Sequence, residues 1–192
     1  LTGKFNFRKD LAKTKVYKGN RKDTPMPEHF DAIKKYLIET WHCDVVNGLE
    51  ADDALGICQT QMKDTIICSI DKDLLQIKGL HYNWNKGEVV EVSENDAWYK
   101  LYQQTLTGDS TDNVVGIPRV GEKKANKILS ECYTSHEASI TTMKAYGDYY
   151  KDDEALAFNM FKENLDLVKI CTSSKDERLK EDFIIPEPSY VF

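Results

Sequence analysis

The sequence predicts an α/β protein with a parallel sheet in its first half and a helical second half, and three observations support this. Short apolar segments alternate with amphipathic segments in the first half, as they do in β-α-β units. From Glu94 onward, apolar residues recur every three or four positions, which is the helical period. Hydrophobic residues make up 41% of the 192 residues, enough for the core of one domain or of a domain with an appendage.

The predicted elements of the first half follow one another along the chain. The segment TPMPEHFDAIKKYLIETW predicts an amphipathic helix, because Phe30, Ile33, Leu37 and Trp41 fall at helical spacing. CDVV predicts a short strand, EADDALGICQTQMK a helix, and TIICSI a buried strand rich in β-branched residues. GLHYNW and GEVVEV predict two further strands, which a hairpin can join.

Four helices are predicted in the second half, from ENDAWYKLYQQTL, EKKANKILSECY, ASITTMKAYG and DDEALAFNMFKENLDLVKIC. The tail EDFIIPEPSYVF contains Pro186 and Pro188, so we expect it to be extended. These patterns predict an α/β domain over residues 1–105 and a helical subdomain over residues 106–192.

Charge is distributed unevenly along the chain. The formal net charge is −6, which argues against simple coating of nucleic acid. Residues 1–22, however, carry eight basic side chains and one acidic one, so the remaining 170 residues carry 18 basic and 31 acidic side chains. We therefore expect a cationic arm followed by an acidic body.

The sequence shows no sign of a membrane or secretory destination. Every apolar run falls well short of the roughly 18 residues needed to cross a bilayer, and the opening LTGKFNFRKD is too charged for a signal peptide. The five cysteines lie at irregular spacing without a C-x-x-C pair, which predicts reduced thiols. These features predict a cytoplasmic protein.

Acidic residues follow two predicted strands and one predicted helix. Each group alone has an ordinary explanation, as a helix N-terminus, a capping turn or an Asx-rich loop. The carboxyl ends of neighbouring parallel strands, however, meet at one edge of a sheet, where open α/β sheets place their sites. Converging there, the carboxylates would repel one another unless cations neutralised them. The seven residues are Glu50, Asp52, Asp53, Asp71, Asp73, Asp109 and Asp112.

These oxygen donors suit Mg²⁺ or Mn²⁺ better than zinc, and the four histidines are too scattered to compete as ligands. Two such ions about 4 Å apart can activate a water and stabilise the attacking and leaving oxygens of a phosphodiester displacement. The acidic groups therefore predict a site for two Mg²⁺ ions.

The stretch GIPRVGEKKA has the features of a phosphate-binding turn. Gly116 and Gly121 permit a tight turn and a close backbone approach, and the following helix would present free amides to phosphate. Ile117 and Val120 between the glycines match a helix-hairpin-helix over about residues 106–132, which grips a DNA backbone without reading bases. The predicted DNA-binding residues are Gly116, Ile117, Pro118, Arg119, Val120, Gly121, Lys123 and Lys124.

Three motifs together resemble the 5′-nuclease family, which comprises flap endonucleases, phage 5′–3′ exonucleases and the 5′-nuclease domain of bacterial DNA polymerase I. The motifs are GLEADDALG, SIDKDLLQI and LTGDSTDNVVGIPRVGEKKANKIL, and the resemblance extends from about Phe7 to Leu129. It implies a PIN-like parallel sheet flanked by helices, with a helical subdomain that contains the helix-hairpin-helix.

The resemblance also implies an activity and roles for individual residues. It implies a structure-specific 5′ nuclease, a monomer that acts on duplex DNA with a 5′ end or flap. Lys18 and Arg21, in the family's basic segment near the helical arch (residues 1–27), would lie near the scissile phosphate. One metal ion would be held by Glu50, Asp52 and Asp53, and the other by Asp71, Asp73, Asp109 and Asp112. The neighbours of a monovalent cation, usually K⁺, would be Ser110, Val115, Ile117 and Val120.

The sequence departs from the family pattern at its beginning. Family members start with a strand that carries a metal-binding aspartate, followed by another aspartate before the arch, and no such segment precedes Leu1. Two alternatives to a 5′ nuclease stay open. One is a non-catalytic DNA-binding module or remnant of the family, and the other is a PIN-like ribonuclease, which has no reason to carry the basic hairpin.

Overall fold

Two small sheets form the β layer of the protein, whose computed structural model describes residues 1–186. The first sheet pairs β1 (Thr2–Asn6) with β2 (Val46–Gly48) in parallel. The second contains β3 (Ile66–Cys68), β4 (Gly79–Asn83) and β5 (Glu88–Val92), with β3 parallel to β4. Strands β4 and β5 form an antiparallel hairpin, with Gly79 opposite Val92. The predicted α/β class with parallel pairing is confirmed, whereas β1 was missed because its residues read as part of the basic arm.

Seven helices accompany the sheets within residues 1–186. In the first half they are α1 (Arg8–Leu11), α2 (Phe30–Trp41) and α3 (Ala51–Gln61). In the second half they are α4 (Glu94–Thr107), α5 (Glu122–Leu129), α6 (Ser135–Tyr150) and α7 (Glu154–Val168). Short 3₁₀ turns cover Gly19–Arg21 and Asp73–Gln76. No helix in this part of the chain is both long and apolar enough to cross a membrane.

Capping residues explain where the longer helices of the second half begin. The Ser93 side chain caps α4 by accepting a hydrogen bond from the amide of Asp96, and the Asp96 carboxylate accepts one from the amide of Ser93. Thr134 and Glu137 form the same reciprocal pair at the start of α6. Such boxes satisfy amide groups that have no partner inside the helix.

Helix α2 forms where its periodicity predicts it, but none of its side chains is buried by other parts of residues 1–186. Ile33 is 57% exposed and Trp41 is 66% exposed, although both lie at the helical spacing that usually faces a core. The helix is therefore amphipathic without covering a core in the described structure.

The main core lies among the helices of the second half. Tyr102 and Leu106 of α4 pack with Leu129 of α5, Tyr146 of α6 and Phe161 of α7. The same helix α4 also packs against the 3₁₀ turn Asp73–Gln76 of the α/β half. The predicted boundary between residues 105 and 106 thus falls inside a helix that contacts both parts, and the division into two domains stays a prediction.

After α7 the chain returns to the α/β half. Cys171 is fully buried with Phe7, Leu49 and Ile57, while Ile170 packs beside Leu74 and Ile77. The last described residues lie near this cluster, through Phe183 and Ile185. Residues 187–192 of the predicted extended tail lie outside the described residues.

Candidate active-site cleft

Six of the seven predicted carboxylates line one cleft between the sheets and the helical half. Five of them, together with Tyr17 and Gln104, line its narrow inner part, and Asp71 joins at its wider mouth beside Lys18, Arg21 and Lys100. The acids of the inner part are Glu50, Asp52, Asp73, Asp109 and Asp112. The structure therefore brings together the acids that follow β2, β3 and α4.

Local structure explains how each acid reaches the cleft. Glu50 and Asp52 lie where β2 leads into α3, and Asp71 and Asp73 lie where β3 leads into the 3₁₀ turn. The Oδ1 atom of Asp71 accepts a hydrogen bond from the Asp73 amide at 2.9 Å, which brings the two residues together in a tight turn. The acids thus arrive from strand ends as predicted, but β2 and β3 belong to separate sheets and are not neighbouring strands of one sheet.

The third acidic group lies in a loop closed by its own backbone. The amides of Asp109 and Val114 each donate to the other residue's carbonyl, at 3.0 and 2.8 Å. Inside this loop the Oδ1 atom of Asp109 accepts from the amides of Thr111 and Asp112. These bonds fix the turn that carries both Asp109 and Asp112.

Asp53 is an exception, and the prediction that it binds a metal ion does not fit its surroundings. Its carboxylate is fully buried and receives two hydrogen bonds from the Arg8 guanidinium, at 2.6 and 2.8 Å. The amides of Glu50 and Cys171 donate to the same two oxygens, at 3.0 and 2.9 Å. A carboxylate has about four acceptor positions, and here four donors occupy them. Asp53 therefore anchors the start of α3 and does not line the cleft.

Arg8 was missed by the sequence analysis and proves to be the partner of Asp53. Its side chain is 3% exposed, and it also donates to the carbonyls of Leu167 and Lys169, each at 2.8 Å. The guanidinium holds the pKa of Asp53 below its usual range, although burial acts in the opposite direction. Nothing in the sequence distinguishes Arg8 from the other basic residues of the arm.

The segment YKGNR lies over the cleft, where Lys18 and Arg21 line its mouth, and their place beside a scissile phosphate stays a prediction. Lys18 is ion-paired with Glu50 and lies 3.5 Å from an oxygen of Asp112. Arg21 donates to the other oxygen of Asp112 at 2.8 Å. The backbone supports this arrangement, since the amide of Lys18 donates to the carbonyl of Asp112 at 2.9 Å.

Tyr17 connects two of the acidic groups beneath these cations. Its hydroxyl lies 3.0 Å from Glu50 Oε2 and 2.6 Å from Asp112 Oδ2, and its side chain is buried. Burial, followed by the charge of Glu50, raises the pKa of Tyr17, so the hydroxyl keeps its proton. Tyr17 therefore donates a hydrogen bond within this pair of carboxylates.

Crowding and burial perturb the acids of the cleft. Burial raises the pKa of Asp52 to about 6, and the charges of Asp71 and Glu50 add to the effect. Burial and Asp71 also raise the pKa of Asp73, against the opposing effects of Lys100 and Gln104. Perturbed carboxylates in a cleft are typical of functional sites.

The donor set fits a hard divalent cation. Every cleft acid offers oxygen, and no histidine or cysteine of residues 1–186 lines the cleft. Within those residues, no group of three acidic side chains is arranged closely enough to surround a single ion, and Lys18, Arg21 and Lys100 pair with the acids instead. An ion would relieve the charge crowding that raises the pKa of Asp52 and Asp73.

The predicted phosphate-binding turn lies in the connector between α4 and α5, which spans residues 108–121. Gly108 and Gly116 have positive φ values of 71° and 63°, and a Cβ on either would collide with the backbone around the other. Gly116 thus permits a close approach within the protein. Gly121 precedes α5 and has no neighbouring atom within 4 Å of a Cβ position.

The connector covers nearly the residues left between the two predicted helices, and the loop closed by Asp109 and Val114 forms its first part. Arg119, Lys123 and Lys124 are exposed around the start of α5. Ile117 is buried, and its carbonyl accepts from the amide of Val120. The predicted K⁺ neighbours, Ser110, Val115, Ile117 and Val120, all lie in this connector, and the K⁺ site stays a prediction.

Comparison with known proteins identifies the class to which this fold and cleft belong. A family model described as the 5′-3′ exonuclease, N-terminal resolvase-like domain matches residues 2–104. The chain therefore belongs to the 5′–3′ exonuclease family.

Individual relatives come from phages and bacteria. The exodeoxyribonuclease of Enterobacteria phage T3 is 32% identical over 131 residues, which are 64% of this chain and 43% of the phage protein. The exonuclease of Escherichia phage T7 is 29% identical over 151 residues, covering 73% of this chain and 49% of that protein. The DNA polymerase I of Lactococcus lactis (strain IL1403) is 30% identical over 85% of this chain and 20% of the polymerase. The chain thus spans about half the length of the phage relatives.

Two solved structures superpose on this chain and share its fold. The T5 D15 protein co-crystallised with metal ions superposes with a TM-score of 0.63 at 18% identity, over 88% of this chain and 72% of that one. A T5 5′-exonuclease with bound divalent zinc ions gives a TM-score of 0.61 at 18% identity, over 87% of this chain and 72% of that one. At this identity the likeness concerns the fold alone.

Proposed function

We propose that the protein is a structure-specific 5′ nuclease that hydrolyses phosphodiester bonds of DNA with two Mg²⁺ ions. The observation that carries this proposal is the convergence of six carboxylates from three elements on a cleft rimmed by Lys18 and Arg21. Family membership supports it, and the structurally similar T5 D15 flap endonuclease is described in a pseudo-enzyme-product complex with DNA and metal ions.

The cleft acids divide into two candidate sets of metal ligands. Asp71, Asp73 and Asp109 follow β3 and α4, while Glu50 and Asp52 lie at the start of α3. Asp112 lies between these sets, because Tyr17 joins it to Glu50. Bound Mg²⁺ would supply an activated water and neutralise negative charge on the phosphate.

The chain's own cations can stabilise the same phosphate. The side chains of Lys18 and Arg21 are 27% and 48% exposed, so both remain accessible to a ligand at the cleft mouth. A cation held beside a phosphate stabilises the charge that develops on it during cleavage. The backbone bond between Lys18 and Asp112 fixes this segment over the acids, which supports a role at the scissile bond.

The predicted phosphate-binding turn and the basic side chains around it, called the basic turn below, would hold the duplex at a distance from the scissile bond. Arg119, Lys123 and Lys124 surround the start of α5, where free amides favour phosphate. The turn follows Asp109 and Asp112 in one connector, so a grip on the backbone would set the distance from the duplex to the acids. This turn also favours DNA over the single-stranded RNA of a PIN-like ribonuclease.

The proposal extends to the oligomeric state, K⁺ binding and cellular location of the protein. The protein would act as a monomer, with K⁺ bound at the connector through residues such as Ser110 and Val115. Because the relatives are phage and bacterial proteins, it would work in the cytoplasm of a bacterial cell or a phage-infected host.

A flap-cleavage assay tests this function. Duplex DNA with a labelled 5′ flap is incubated with Mg²⁺ or with EDTA, and cleavage is expected only with Mg²⁺. Asp109→Asn should reduce cleavage to the EDTA level, whereas Asp148→Asn, at an exposed position of α6, should not. Binding of flap DNA without cleavage would instead support a DNA-binding module, and cleavage of single-stranded RNA alone would support a ribonuclease.

A further inference from the structure

A buried chain of hydrogen bonds links the segment after α7 to Asp73. Gln76 Nε2 donates to the carbonyl of Val168 at 3.0 Å and to Gln104 Oε1 at 2.6 Å. Gln104 Nε2 then donates to Asp73 Oδ1 at 2.5 Å. Gln76 is 9% exposed and Gln104 is 7% exposed, so water competes little for these bonds.

The surroundings fix the direction of both amides. Gln76 Oε1 accepts from the amide of Ile170 at 3.3 Å, so its NH₂ group must face Val168 and Gln104. Gln104 receives that bond through its oxygen, and its NH₂ group is therefore left to face Asp73. Turning either amide over would place like atoms together in a buried site, which is unfavourable.

The result is a carboxylate held on one side only. Asp73 Oδ1 is bound by Gln104 and lies 3.6 Å from Lys100 Nζ. Asp73 Oδ2 accepts no hydrogen bond from any side chain or amide of residues 1–186, and the Asp73 side chain is 39% exposed toward the cleft. One oxygen is thus anchored while the other is left for a ligand.

We propose that Gln104 is a positioning residue that orients Asp73 for binding a divalent cation, with Gln76 as its anchor to the chain after α7. The inference rests on the proposed function, because it assigns Asp73 to a metal site. Gln104 bonds join α4 to the 3₁₀ turn, and Gln76 bonds join that turn to the end of α7. Partners that orient metal ligands from behind typically affect metal affinity or activity 10- to 100-fold.

Mn²⁺ binding by the whole chain, measured by calorimetry and by the EPR signal of free Mn²⁺, tests the inference without requiring cleavage. Gln104→Met has a similar length but no donor, and it should weaken Mn²⁺ binding about 10- to 100-fold. Gln76→Met keeps the bond between Gln104 and Asp73 but removes its anchor, so a smaller loss is expected. Flap-DNA affinity in Ca²⁺ should stay within about two-fold in both variants, since neither residue lies on the basic turn.

Gln59→Met is the matched control. Gln59 is 9% exposed and donates to the carbonyl of Leu80 at 3.0 Å, so the substitution removes an equally buried amide away from the cleft. It should leave Mn²⁺ affinity unchanged. All titrations are made at 10 °C on protein shown by circular dichroism to be folded. Should Gln104→Met not fold, Gln76→Met carries the test.

The outcomes separate the inference from the function on which it rests. A wild-type chain that binds no Mn²⁺ would refute the proposed metal site. A wild-type chain that binds Mn²⁺, with affinity unchanged in the glutamine variants or reduced equally in Gln59→Met, would overturn the positioning role alone.

Discussion

Removing the Arg8 guanidinium should destabilise the fold strongly, because it leaves a buried charge without its partner. Arg8 and Asp53 have side-chain exposures of 3% and 0%, and their two hydrogen bonds are 2.6 and 2.8 Å long. Removing one member of such a buried pair typically costs about 3 to 5 kcal/mol. Arg8→Met also loses the bonds to Leu167 and Lys169, so we expect a loss at the upper end of that range.

The loss should depend on pH in a defined direction. Arg8 lowers the pKa of Asp53 in the folded state, so this pair contributes stability above the unfolded pKa of about 3.9 and loses it as pH falls through the lower folded value. In Arg8→Met the buried carboxylate regains its proton more easily. The difference in unfolding free energy between wild type and variant should therefore be largest near pH 7 and should shrink below about pH 4.

Urea denaturation followed by circular dichroism measures both effects. Arg8→Met combined with Asp53→Leu should recover part of the loss, because the unpaired charge is gone while the carbonyls of Leu167 and Lys169 still lack a donor. Lys35→Met breaks an exposed pair with Glu39 at 3.8 Å and should cost at most about 1 kcal/mol. A loss below about 1 kcal/mol for Arg8→Met at pH 7 would show that the Arg8 and Asp53 pair does not hold the cleft together.

Five further substitutions address the cleft and the basic turn. Asp52→Asn should raise the unfolding free energy at pH 8 by about 1 to 2 kcal/mol, because the folded-state pKa near 6 means that the ionised group opposes folding above that pH. The gain should vanish near pH 4, and an equal gain at both pH values in urea denaturation would refute this cause. Lys123→Ala or Lys124→Ala should weaken binding to all duplex sequences about equally and lower the salt dependence of binding by about one counterion. The control Lys144→Ala, at an exposed position of α6, should change neither. A base-specific loss in fluorescence anisotropy would contradict binding through the DNA backbone. Lys18→Ala or Arg21→Ala should raise the barrier of single-turnover cleavage by about 2 to 4 kcal/mol, with a smaller effect on DNA binding. A loss of DNA affinity with unchanged cleavage rates would indicate that these residues only attract the DNA.

The features of the structure that depend on the local sequence pattern were predicted correctly. Periodicity located α2 and the helices of the second half, and the acids placed after β2, β3 and α4 do meet in one cleft. The predicted meeting of these acids is confirmed, although β2 and β3 lie in separate sheets and the third group follows a helix. The positions of the acids along the chain therefore predicted most of the cleft, but not the arrangement of the strands that carry them.

Features that depend on distant partners could not be predicted. Asp53 lies beside Asp52 in the sequence and has the same chemistry, yet Arg8 and the amide of Cys171 occupy its oxygens. Gln104 is an unremarked position of an amphipathic helix until Gln76 and Asp73 surround it. The mutual backbone bonds of Asp109 and Val114 were not predicted, because they leave no signal in hydrophobic spacing.

The cleft depends on residues at the end of α7 and just after it, which are synthesised later than the acids. The carbonyls of Leu167 and Lys169 bind Arg8, and that of Val168 binds Gln76, so one short stretch supports both the Asp53 and the Asp73 sides. A growing chain makes all the acids before it makes this stretch. Until residues 167–170 emerge from the ribosome, Arg8 and Gln76 lack these backbone partners, and the support of the acidic site is completed only as α7 ends.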